Sequence, residues 1–149
     1  MERVTYFAYG SNLDARQMRS RCASAEAAAR AVLPNHALAF GGFSRRWGGA
    51  VATVVQIPGA EVEGLLYRLT LDDLVELDRF EGCPAMYARM SALVTDEHGR
   101  RRRAQMYRQP ADAFVPWPPQ PIYVRLLRHA YKRLDFDAKR IAAAMEVVR

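Results

Sequence analysis

The stretch YFAYGSNL, Tyr6–Leu13, joins an apolar, strand-like run directly to a loop of Tyr9, Gly10, Ser11 and Asn12, after which the chain turns helical. Val4–Ala8 reads as a strand. Leu13–Cys22 reads as a short helix, with Ser11 and Asp14 in the S-x-x-D spacing of a capping box. A loop at a helix start carries unsatisfied backbone N–H groups and the positive end of the helix dipole. Gly10 lets the backbone approach a ligand, and Ser11 and Asn12 add side-chain donors. The loop therefore suits an anion or a developing oxyanion, although a plain turn with Ser11 as a helix cap fits the same spacing.

Working outward, Ala37–Phe40 reads as a second strand and GGFSRRWGG, 41–49, as a loop. AVATVVQ and VEGLLYRL read as two arms of a hairpin turned at Pro58-Gly59. In TLDDLVELDRFEG, Leu71, Leu74, Leu77 and Phe80 recur at helical spacing, Thr70 and Asp73 repeat the capping pattern, and Gly82 stops the run. Glu81 sits at the end of that helix. Ala88–Thr95 and Arg102–Tyr107 form a second hairpin around DEHGR, the segment VPWPPQP excludes helix and central strand, and Tyr123–Leu134 and Phe136–Val148 are helical. Five or six strands with peripheral helices in this order indicate an α+β fold, a small mixed β-barrel, over one domain, 1–149.

The 149 residues carry 22 basic and 16 acidic side chains, a net charge of +6 that favours anionic partners. Two cysteines, the absence of a basic-then-apolar leader and the lack of an apolar run near 20 residues point to a cytoplasmic protein without disulfides or membrane spans. His36, His98 and His129 share no ligand spacing, so no metal is expected. Cys83 reads as a buried thiol, and the basic run GRRRR, 99–103, as a solvated hairpin tip instead of a nucleic-acid contact. Glu81 fits a solvated surface carboxylate or, if Phe80, Cys83, Met86 and Tyr87 enclose it, an acid/base with a raised pKa. Tyr87, Tyr107 and Tyr123 fit core positions whose hydroxyls need partners.

The ordered set YFAYGSNL, WGGAVATVVQIPGAEVEGLLYRL, LDRFEG followed by MY, and PPQPIY resembles the γ-glutamylcyclotransferase-like (AIG2-like) family over nearly the whole chain. The resemblance implies a barrel with a cavity at one end, Glu81 as the catalytic acid/base, and Tyr9, Gly10, Ser11, Asn12, Leu13, Tyr87, Tyr107 and Tyr123 around the substrate. It also implies closure of a γ-glutamyl amino acid to 5-oxoproline with no cofactor, in a monomer or homodimer whose partner is that small molecule, not a nucleic acid or a membrane. Two departures narrow the expectation. Ser11-Asn12 differs from the Ser-Leu of relatives acting on glutathione, and the interval from Glu81 to Tyr87, with Pro84 inside it, is about one residue shorter than in animal enzymes. γ-Glutamylamines and γ-glutamyl-protected biosynthetic intermediates remain alternative substrates; Arg45 or Arg46 fits either a partner for the carboxylate of a leaving amino acid or a solvated surface charge. A noncatalytic module sensing a small anion is the alternative of another kind.

Overall fold

The computed structural model describes residues 2–149. Five strands close into one barrel: β1 (Arg3–Ala8), β2 (Glu26–Ser44), β3 (Gly49–Thr70), β4 (Ala88–Asp96) and β5 (Arg101–Arg108), in the order β1-β3-β2-β4-β5. All neighbours are antiparallel except β1 and β5, which meet in parallel at Tyr6 and Gln105. The barrel is therefore mixed, as expected, and closure removes the exposed sheet edge that β1 would otherwise present.

The hairpin is not where Pro58-Gly59 suggested. β2 and β3 run for 19 and 22 residues and pair from Ser44–Gly49 to Glu26–Arg68, with the turn at 45–48 closed by Gly48 N–H on Ser44 O. Gly48 adopts φ +67°, which glycine reaches without Cβ strain. The Pro58-Gly59 segment is a bulge within β3. Between the pairs Pro34–Glu61 and His36–Gln56, Asn35 alone faces the four residues 57–60. Asn35 (φ 59°) and Gly59 (φ 83°) both take left-handed conformations there, and Gly59 N–H donates to Asn35 Oδ1 at 3.0 Å. The strand expected at Ala37–Phe40 is thus the middle of a much longer one.

Four helices lie outside: α1 (Ala15–Arg21), α2 (Leu71–Phe80), α3 (Pro121–Leu134) and α4 (Lys139–Val147). The first begins later than its spacing suggested. Ser11–Leu13 forms a separate 3-10 turn, and Asp14, not Ser11, caps α1 by accepting from Gln17 N–H. Thr70 caps α2 through Asp73 N–H, but the Asp73 carboxylate turns to Ser24, so the reciprocal half of that capping box is not made. At the other end Gly82 (φ 64°) donates to Arg79 O and Cys83 N–H to Asp78 O, a Schellman closure that leaves Glu81 as the last residue before the chain reverses. Cys83 itself is half-buried, and both cysteines are free.

Phe7, Leu66, Leu69, Leu74, Leu77 and Met106 are fully buried in the core, to which α2 contributes Leu74 and Leu77. Gly64 lets β1 lie against β3 at the barrel end that leads into Tyr9. A Cβ on Gly64 would come 2.4 Å from Ala8 O and 2.5 Å from the Phe7 ring, so β1 would have to move. Gly64→Ala is expected to destabilise the protein by about 1–3 kcal/mol, the usual cost of overpacking, read as a lower midpoint in denaturant unfolding.

Candidate active site

Beyond β1 the chain leaves the barrel at Tyr9 and curls through the 3-10 turn, which places the loop at the barrel mouth opposite the end of α2. Tyr6, Tyr9, Gly10, Ser11, Asn12, Glu81, Tyr87 and Tyr107 line one partly open cavity there, about 30 Å3 in volume. That holds about one water-sized group, so only a reacting group fits inside. Leu13 and Tyr123 lie outside the lining. The Leu13 side chain is in the core, its N–H is used by Gly10 O and its carbonyl by Arg133. The Tyr123 hydroxyl accepts from Ala52 N–H and supports Gly10 from behind.

The hydroxyls of three lining tyrosines are committed to the protein: Tyr9 donates to Tyr107 O, Tyr87 to Ala52 O, and Tyr107 to Asp78. Burial pushes each phenol above its ordinary pKa, so all stay protonated at neutral pH. They are walls and donors, not bases.

Asn12, 3% exposed, is the junction of the site. Its Nδ2 donates to Tyr6 Oη at 2.9 Å and to Glu81 Oε1 at 3.0 Å. Its Oδ1 accepts from Gln17 Nε2 at 3.0 Å and from Arg21 at 3.2 Å, one turn apart on the same face of α1. Gln17 Nε2 also donates to Ser11 Oγ at 2.7 Å. Tyr6, Gln17 and Arg21 were not picked out from sequence. A tyrosine in an apolar strand and a basic residue in the last turn of a helix are both ordinary, and the only available signal was the i, i+4 pair following the loop.

Glu81 is mostly buried, its side chain 15% exposed, and Oε2 has no protein partner among the described residues. Burial raises its pKa from 4.5 to about 7, opposed by the Arg21 charge and the Asn12 hydrogen bond and assisted by Asp78. The enclosure comes chiefly from tyrosines; of the neighbours expected in sequence, Tyr87 is buried in the lining, and Phe80, Cys83 and Met86 are not part of it. Phe80 is about half exposed with Arg21 over its ring at 5.1 Å, and Cys83 and Met86 are only partly covered.

Leu13 N–H and Asp14 N–H are used within the turn, whereas those of Gly10, Ser11 and Asn12 meet no protein acceptor among the described residues. Three successive free donors thus stand beside a carboxylate with a free oxygen. That pairing can hold an oxyanion and move a proton in one place.

A larger concavity, about 800 Å3, lies elsewhere, between β2, β3 and α4, but it is mainly apolar and its Arg140 is already paired with Glu61 and Glu63. It gathers no comparable acid/base set. Among the described residues no three His, Cys, Asp or Glu side chains converge to hold a metal ion, and no helix is long and apolar enough to cross a membrane.

The family model described as γ-glutamyl cyclotransferase, AIG2-like, matches residues 6–123, from within β1 into α3. The chain belongs to that family. It is 33% identical over 131 residues to the mouse protein named γ-glutamylcyclotransferase, covering 85% of this chain and 69% of the mouse protein. The human protein of that name is 32% identical over the same span and coverage. A solved structure titled γ-glutamyl cyclotransferase superposes with a TM-score of 0.88 at 27% identity, over 99% of this chain and 89% of the other. In this AIG2-like family member the matched region contains the whole cavity lining.

The raised Glu81 pKa has a stability consequence. A carboxyl whose pKa is higher folded than unfolded contributes its stability fully below the unfolded value, near 4.5, and loses it as pH rises through about 7. Relative to Glu81→Gln, the parent should lose about 3 kcal/mol of unfolding free energy between those pH values. Denaturant curves at closely spaced pH check this, and parallel pH dependence in the two proteins would refute the raised pKa.

Proposed function

We propose that this protein is a γ-glutamylcyclotransferase that converts a γ-glutamyl amino acid into 5-oxoproline and the free amino acid. The observation that carries the reading is the free Oε2 of Glu81 beside the unused N–H groups of Gly10, Ser11 and Asn12. The names of the mouse and human relatives support it.

Glu81 Oε2 takes a proton from the substrate's α-ammonium, and the freed amine attacks the γ-carbonyl carbon of the same molecule. A new C–N bond closes the five-membered ring while the carbonyl electrons move to oxygen, where the loop N–H groups meet the developing charge. The intermediate then collapses, the original γ-amide C–N bond breaks as Glu81 returns its proton to the departing nitrogen, and the second proton left on the ring nitrogen passes to the released amine, which departs as an ammonium. Water is not consumed. A pKa near 7 suits a group that must accept and return a proton at neutral pH. Both reacting atoms belong to one molecule, so the site has only to select the folded conformer of the substrate.

The departing amino acid lies at the open side of the cavity. Arg45 and Arg46 are exposed on the β2–β3 turn, with Arg46 over the Trp47 indole at 5.7 Å and Trp47 edge-on to Tyr123 at 5.1 Å. The positive charge of this turn supports a leaving group that carries a carboxylate.

Mass spectrometry of 5-oxoproline after incubation with γ-glutamyl-alanine, ε-(γ-glutamyl)-lysine and glutathione tests the reading. Product is expected from γ-glutamyl-alanine, with kcat lowered at least about 100-fold in Glu81→Gln. Turnover by Glu81→Gln within a few-fold of the parent would remove Glu81 from the proton transfer, and no product from any of the three compounds would sink the reaction. A Cβ on Gly10 would sit 3.4 Å from Ala52 Cβ and 3.6 Å from the Tyr123 hydroxyl, ordinary contacts. Gly10→Ala should therefore stay within a few-fold of the parent in kcat/KM, and Gly10→Val should lose about tenfold or more by displacing the loop.

A further inference from the structure

Arg21 is an unusual residue for the inside of a small protein. Its side chain is 6% exposed, its guanidinium covers the Phe80 ring, and its Nε is buried without a hydrogen-bond partner. An arginine retained only for packing or pairing would be costly in this state, because a buried cation destabilises unless its donors are met. Burial, with repulsion from Arg46, indeed lowers its proton affinity against the pull of Glu81. Nor is Arg21 a direct hydrogen-bond partner of Glu81: its nearest nitrogen is 3.9 Å from Oε1. What it touches is Asn12 Oδ1.

We propose that Arg21 is a positioning residue, a donor-only side chain that fixes which way the Asn12 amide faces and so keeps an N–H on Glu81. The argument rests on the proton-transfer role given to Glu81 above. An asparagine amide can turn end for end, exchanging its oxygen and its NH2. Gln17 cannot prevent this, because its own amide can turn with it and restore the hydrogen bond between them. Arg21 has no acceptor in either orientation, so the atom facing it has to be Oδ1, and Nδ2 is thereby directed to Glu81 Oε1 and Tyr6 Oη.

In the turned amide, Oδ1 would face Glu81 Oε1 at the same 3.0 Å separation. Two acceptors at that distance are compatible only if the carboxyl carries its proton. The turned state therefore stabilises the acid and disables the base, whereas Arg21 opposes this twice, by holding the amide orientation and by favouring the carboxylate through its charge. The other groups facing Glu81 are Tyr6 from β1, Tyr9 from the loop that follows it, Asp78 from α2, Tyr87, Tyr107 from β5 and Tyr123 from α3. The tyrosines are protonated and Asp78 is acidic, so Arg21 is the one cation among them.

The test is a carbon-13 NMR titration of the full chain labelled at glutamate, with the Glu81 carboxyl assigned by its loss in Glu81→Gln. The parent should titrate near 7, Arg21→Met about one pH unit or more higher, and Arg21→Lys within about half a unit of the parent, because an ammonium is also donor-only. In turnover of γ-glutamyl-alanine, Arg21→Met should lower kcat about tenfold with KM within about twofold, its acid limb moving with the carboxyl, and Arg21→Lys should recover most of the loss. An unchanged titration in Arg21→Met overturns the proposal. So does a raised KM at unchanged kcat, which would make Arg21 a substrate anchor instead. Should Arg21→Met not fold, Arg21→Gln carries the same test, since an uncharged amide no longer dictates the orientation and the carboxyl should again move upward. If the parent forms no 5-oxoproline from any γ-glutamyl compound, the reaction reading fails, while the titration still decides the role of Arg21.

Discussion

Asn12 uses every hydrogen-bonding position of its amide, and each position ties down a different piece of the fold. Tyr6 belongs to the barrel wall, Gln17 and Arg21 to the helix after the loop, and Glu81 to the C-terminal end of α2, while Tyr67 of β3 donates to the Asn12 backbone carbonyl. A fully satisfied buried amide is rigid because any rotation would strand several polar groups at once. The positions of the carboxylate and of the free backbone donors relative to one another follow from that one side chain.

The barrel makes this convergence possible. β1 lies between β3 and β5, so the residues that follow it emerge at a mouth whose walls are already built by strands distant in sequence. The mostly committed tyrosine hydroxyls then give an interior that is apolar toward Glu81 yet leaves few polar atoms unpaired. Desolvation raises the carboxyl's proton affinity, and Asn12 and Arg21 hold it back from rising further. The balance near neutrality is thus set by opposed effects, with burial the largest.

What was legible in the sequence was what short-range signals encode. The strand Val4–Ala8, the period of α2, the second hairpin and the helix from the proline-rich segment to Leu134 were each written within about a dozen residues. The β2–β3 ribbon was not, because Pro58-Gly59 is a stronger turn signal than Arg45–Gly48, and strands of about 20 residues are far outside the usual length. In the site, the loop and Glu81 stood out through their motifs. Arg21 did not, since its significance lies in a partner, Asn12, reached only after the chain has turned.

The bulge at residues 57–60 bears on how the long ribbon keeps its alignment. Two extended strands of this length have many near-equivalent ways to pair, and a slip of one residue would turn every inward side chain of β2 to the other face. A slip of two would preserve the faces, and nothing in an evenly alternating ribbon would oppose it. Here it would carry Asn35 away from Gly59 and leave two left-handed residues opposite regular strand. The segment that resembles a turn in the sequence thus works in the folded protein as an index mark, admitting one alignment of the strands that carry the barrel.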